Sequence, residues 1–366
     1  MSAMTPRRAA LVLAALVLVV AAASCTSTAT PGGGPLAPRY VRDPGFPAPS
    51  GITFATVSWM AVDAETRLIW LLQRGQPAIS VWHPDGRLVS TWRTDMLGDP
   101  HSITLAGSGS RKSVWITDMA PPNPTGRAFG HCLKRFDPSG TFLGAIGVCG
   151  EHSQGSGLDP VQFDKVTHVM PFATGDLLVS DGDIGGLNNR VLTLGANGQV
   201  GAVWSAPFNQ PGSGPREFHL PHAVAIDACR RAWIADTLNH RVQVIGLDGT
   251  YFGAVTAFDE DGVYGVTLGP VVSTRGEQEA FLYVTTSPTT GGSGTAFVFR
   301  TAMECARPAR TDVRLLARWP VAFPSAPATT APVAILHAVA VDPVSGDLYF
   351  APLGANLPPQ KWTPVR

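Results

Sequence analysis

A unit of about 40–45 residues recurs along this chain, and that recurrence limits the fold more than any other feature. The clearest copy starts at Phe218-His219-Leu220-Pro221-His222-Ala223-Val224-Ala225-Ile226-Asp227. It runs through Ala232-Trp233-Ile234-Ala235-Asp236 and Arg241-Val242-Gln243-Val244 to the Asp248-Gly249 turn. Three short alternating runs are parted by turn chemistry and a fourth follows, the pattern of a four-stranded antiparallel meander. Related units begin at Trp59, Pro100, Val166, Gly262 and Leu336. An open sheet with this many strands leaves edges to protect, whereas radial closure leaves few. Six units therefore predict an all-β, six-bladed β-propeller spanning 51–366. The composition agrees: 39 Gly and 32 Pro supply turns, and a 45% hydrophobic content still fills a large core.

Spacing within the units sets their register. His222 and Asp236 are 14 residues apart, as are Thr167 and Asp181, and His337 and Ala351. His101 and Asp118 are 17 apart, and the extra residues fit the Gly-Ser-Gly turn at Gly107–Gly109. His101, Thr167, His222 and His337 thus share one structural position in four blades. The first strand of each blade lines the central channel, so equivalent positions face one another across the axis. Three neutral imidazoles converging there, with an open fourth position, form a catalytic-type zinc site. A lone His in such a place more often bonds a neighbouring turn; three in register point to a metal. His168, one residue later than the shared position, is expected on the opposite side of its strand.

The N-terminus reads as a targeting segment. Arg7 and Arg8 precede an apolar run from Ala9 to Ala23 that is too short for a comfortable membrane span. Residues 1–24 are the expected signal peptide. Cys25 follows the small residues Ala22-Ala23-Ser24, so two outcomes stay open: lipidation of Cys25, which anchors the chain to a membrane, or plain secretion. Residues 25–50 are rich in Pro, Gly, Ser and Thr and read as a flexible tether. Export implies an oxidising compartment. Cys132 and Cys149 flank a hairpin-like segment and are expected to pair, which leaves Cys229 and Cys305. With 27 Lys+Arg against 27 Asp+Glu, no charge excess argues for nucleic acid. A monomer is expected.

The run Asp236-Thr237-Leu238-Asn239-His240-Arg241-Val242-Gln243-Val244 resembles an NHL repeat. With Pro100-His101, Pro221-His222 and Leu336-His337, it makes the chain from about Gly51 to Trp362 similar to the peptidyl-α-hydroxyglycine α-amidating lyase family. The resemblance implies a six-bladed propeller that splits a small peptide ending in α-hydroxyglycine into a peptide amide and glyoxylate. It implies Zn2+ on His101, His222 and His337. It also implies that Arg74, within Leu72-Gln73-Arg74-Gly75, contacts the substrate, a role its planar fork suits. Ser180-Asp181-Gly182 matches a family segment, but the catalytic Tyr that follows it is here Asp183. A second substrate Arg is Thr237. The residue after the last His, an Asp that helps hold structural calcium in the family, is Ala338, one calcium ligand fewer.

These departures define the open choices. Cleaving the C–N bond needs a base for the hydroxyl proton, and Asp183 or Tyr264, near the axis in the fifth blade, is the candidate. A carboxylate is a much weaker base than a phenolate. Two other readings compete with the zinc lyase. One is a different zinc-dependent hydrolase or lyase on the same scaffold, acting for example on a lactone. The other is a non-catalytic NHL-repeat binding protein.

Overall fold

The computed structural model describes residues 38–119, 129–152, 157–172, 175–274, 277–305, 313–323 and 334–365. Six four-stranded antiparallel sheets form the blades of a propeller. Their innermost strands are Val57–Val62, Pro100–Ala106, Val166–Pro171, Pro221–Ile226, Gly262–Thr274 and Ile335–Val341. No helix among the described residues is long and apolar enough to cross a membrane. The expected signal peptide (1–24) and Cys25 lie outside the described residues.

Apolar residues facing neighbouring sheets make the core. Trp115, Leu133, Phe163, Val169 and Leu192 form one buried cluster, and Trp204, Phe218, Val224 and Ile234 another. Each large side chain so buried contributes roughly 1.5–3 kcal/mol relative to exposure. Stability is therefore spread over the blade interfaces rather than held at the axis.

The ring closes through the sixth blade. Arg39–Asp43 is its outer strand, pairing Gln360–Val365 in register from Arg39↔Val365 to Asp43↔Lys361. This corrects the expected boundary of the tether, because the propeller begins within 25–50. Pro and Gly at 44–50 mask a five-residue strand that has no turn signal of its own. Across the same seam Arg67 of the first blade donates to Asp342 of the sixth, Nη2 to Oδ2, at 2.6 Å.

The expected Cys132–Cys149 disulfide forms, and the two remaining cysteines, Cys229 and Cys305, also pair. Cys132–Cys149 links residues 17 apart in sequence, and Cys229–Cys305 links residues 76 apart. For the shorter loop, the lost entropy of the unfolded chain is worth about 3 kcal/mol. Replacing Cys132 and Cys149 together by Ala should lower the unfolding free energy by about that amount, read from urea midpoints at constant slope. An unchanged midpoint would contradict it.

Candidate metal centre

All six inner strands share an irregularity at one place, and Gly262–Thr274 has a second one farther along. Pairing with the second strand skips a residue at Ser58, His101, Thr167, His222, Tyr264 and His337. A β-bulge leaves one residue unpaired and re-aims its side chain. Here the unpaired residues of the second, fourth and sixth blades are histidines whose rings meet at the axis. His101, His222 and His337 come from alternate blades, and their ligating nitrogens lie within 4.8 Å of one another. All three are almost fully buried.

The intervening blades orient the rings. His101 Nδ1 meets the Thr167 carbonyl, His222 Nδ1 the Tyr264 carbonyl and His337 Nδ1 the Ser58 carbonyl, each at 2.7 Å. A carbonyl only accepts, so each Nδ1 carries the proton and each Nε2 presents a lone pair to the axis. Burial pushes the His101 and His337 pKa values well below the ordinary imidazole value and also lowers that of His222. The rings are therefore neutral at pH 7. His222 Nε2 and His337 Nε2 nevertheless stand 3.0 Å apart. Two lone pairs at that distance repel unless a cation lies between them. His101 Nε2 is buried without a hydrogen-bond partner. Three such nitrogens, each with its far side held by a carbonyl, are what a borderline-soft divalent ion such as zinc takes.

His168 departs from expectation. Strict alternation puts it on the opposite side of its strand, yet its ring lies 4.6 Å from that of Trp59, in the layer next to the triad. The bulge breaks the alternation and brings Thr167 and His168 both to the channel. His168 has the other tautomer: Nδ1 accepts the Val224 amide at 3.0 Å, and Nε2 faces Thr104 Oγ1 at 3.1 Å. Burial lowers its pKa to about 3. It is a satisfied core histidine.

Sequence reasoning misses Trp59. Its ring centroid stands 5.9, 5.9 and 5.7 Å from those of His101, His222 and His337, so it closes the channel beneath them. The same position in other blades holds Ser102, His168, Ala223, Gly265 and Ala338. A Cβ on Gly265 would meet Thr285 Oγ1 at 2.3 Å and Ala338 Cα at 3.2 Å. One indole, with His168 beside it, among four small residues is the available signal. Ala338, where the resemblance implies a calcium ligand, is buried apolar packing.

Groups on the other side of the triad carry charge. Arg74 Nε lies 2.9 Å from Asp99 Oδ1, and its positive charge helps lower all three triad pKa values. Asp183 Oδ2 lies 3.6 Å from His101 Nε2. The Tyr264 ring packs edge-on against His222 at 5.4 Å. Burial first, then the charges of Asp183 and Asp261, pushes the Tyr264 hydroxyl up to about 12. Thr237 joins two blades, its hydroxyl donating to the Val263 carbonyl of the next blade at 2.7 Å.

The Asp that follows the bulge by 14 or 17 residues positions these loops. Asp118 accepts from the Gly98 and Asp99 amides and Lys134. Asp181 accepts from the Asp164 amide, Asn188 and Arg190. Asp236 accepts from the His219 amide, Asn239, Arg241 and Gln243. Each carboxylate ties the segment entering its blade to a base or amide on the third strand, and so sets where the bulge falls.

Comparisons with known proteins agree with this architecture. Mouse NHL repeat-containing protein 3 is 33% identical over 237 residues, covering 64% of this chain and 65% of that protein. The human protein of the same name is 34% identical over 235 residues, covering 63% and 64%. The match thus spans a little under two thirds of the length of these relatives. A solved luciferin-regenerating enzyme superposes with a TM-score of 0.53 at 13% identity, covering 89% of this chain and 95% of that one, a likeness of fold alone. No protein-family model matches. The chain is a six-bladed β-propeller whose repeats are similar to those of NHL repeat-containing proteins.

Proposed function

We propose that this chain holds one Zn2+ on its axis and takes a small, carboxylate-bearing, peptide-like ligand at the mouth above it. The observation that carries the reading is the convergence of three lone-pair nitrogens, two of them 3.0 Å apart. Bound zinc supplies a Lewis acid that attracts an anionic oxygen and lowers the pKa of a coordinated hydroxyl. Arg74, steadied by Asp99, supplies a second attachment point for the ligand carboxylate. Trp59 seals the channel below, so the ligand approaches from the Arg74 side. The two disulfides support export to an oxidising compartment. A mature chain that retains Met1 in the cytosol would refute that part.

Calorimetric titration of the zinc-loaded chain with an α-hydroxyglycine peptide and with its terminal carboxamide tests the binding reading. The free acid should bind more tightly. Arg74→Ala should weaken it by about 10–100-fold, the worth of hydrogen bonds to a charged group, and leave the amide nearly unaffected. Equal binding of acid and amide by the unaltered chain would contradict it.

The second reading is turnover, as a zinc-dependent lyase releasing glyoxylate, and the groups favouring it are Asp183 and Tyr264. Asp183, whose Oδ2 lies 3.6 Å from His101 Nε2, is the group that would accept the hydroxyl proton. Tyr264 begins protonated at neutral pH and would have to lose its own proton first. Glyoxylate release above the uncatalysed rate, lowered in kcat by Asp183→Asn or Tyr264→Phe, would establish it. Binding without release would leave a non-catalytic propeller.

A further inference from the structure

We propose that Asp183 is the fourth protein ligand of the axial metal and closes the site until an incoming carboxylate displaces it; this rests on the metal reading above. Two ligands about 2.0–2.1 Å from one tetrahedral ion stand roughly 3.3–3.4 Å apart. Two spacings at the axis lie close to that value: His222 Nε2 to His337 Nε2 is 3.0 Å, and His101 Nε2 to Asp183 Oδ2 is 3.6 Å.

The carboxylate is aimed by a built turn. Its Oδ1 accepts the Ile184 amide at 2.7 Å, which leaves Oδ2 as the oxygen turned to His101. The Asp183 carbonyl accepts from the Gly186 amide at 2.8 Å, and the Leu187 amide donates to Asp164 Oδ2 at 2.6 Å. Gly182, at φ +153, has no room for a Cβ, which would meet Asn188 O at 2.2 Å. The Asp183 side chain is only 19% exposed. His101 Nε2, the nearest triad nitrogen, has no hydrogen-bond partner of its own.

A carboxylate ligand changes what the site does. Three neutral imidazoles leave a divalent ion with its full charge and an open position; one aspartate removes a unit of charge and fills that position. A ligand carboxylate must then compete with a tethered one. Asp183 serves as a gate on affinity, and while it is bound to the ion it is not free to act as a base.

The test uses the full chain loaded with Co2+, whose visible absorption reports coordination, and glycolate as the probe. Metal affinity is measured by competition with a chelator. Asp183→Ala, with Asp183→Asn as a second and milder variant, should hold metal more weakly than the unaltered chain by over about 100-fold, beyond the roughly 10–100-fold that losing a group that merely orients the ligands costs. It should also bind glycolate more tightly, with a spectral change that the unaltered chain shows only at far higher glycolate. Unchanged metal affinity with equal glycolate response in both variants would overturn the inference while leaving the three-histidine site standing. Failure of the unaltered chain to bind metal would overturn both.

Discussion

Asp236→Ala is expected to lower the unfolding free energy by about 3–5 kcal/mol, the usual result of removing one partner from a buried charge pair. The carboxylate has no exposed side-chain surface and collects donors from four residues: the His219 amide at 2.8 Å, Asn239, Arg241 at 2.7 Å and Gln243 at 3.1 Å. Truncation strands the Arg241 guanidinium, which is itself mostly buried, and frees the segment that enters the fourth blade. Asp236→Asn should cost less, because an amide oxygen can still accept some of the same donors. Chemical denaturation with the slope held constant reads the difference. A loss under about 1 kcal/mol, well below the range for a broken buried pair, would mean that the Asp hubs do not set the blade register.

The second large effect is expected at the metal. His222→Ala should reduce zinc affinity by at least about 10³-fold, because it removes a direct ligand, whereas altering only the groups that orient the ligands costs about 10–100-fold. The fold should survive. His222 sits at the bulge, outside the ladder pairs, and Ala223 and Val224 beside it keep their packing in the fourth blade. Removing the contact between His222 and His337 also relieves a lone-pair repulsion in the metal-free chain. The metal-free variant should accordingly be no less stable than the metal-free parent by more than the small cavity cost of the lost ring. Equal metal retention by the variant would show that the ion, where present, is held elsewhere.

Much of this architecture is legible in the residues. The repeated Asp, Gly and apolar runs specify six meanders, and counting from His222 to Asp236 carries the register to His101 and His337. The bulge cannot be read in this way. Period-two alternation places His168 away from the axis, but the extra residue at Thr167 returns it to the channel. The carbonyls that orient the triad come from Ser58, Thr167 and Tyr264, residues whose backbone, not side chain, does the holding, so no residue type announces them. The closing strand Arg39–Asp43 is hidden for a different reason. Its burial pattern is largely exposed, as an outer edge allows, so it lacks the apolar alternation by which the other strands declare themselves. Trp59 is visible as an indole at a repeat position that four of the other blades fill with small residues and one with His168, but its meaning depends on knowing that the six positions converge.

The central claim is that the three axial imidazoles bind one divalent ion through Nε2. Elemental analysis of the purified full chain after zinc loading and exhaustive dialysis, joined to X-ray absorption at the zinc edge, tests it most directly. Close to one zinc per chain is expected, surrounded by nitrogen and oxygen with three imidazoles among the ligands and no sulfur. A chain that is folded yet retains no zinc, or whose zinc shows fewer than three imidazoles, would contradict it.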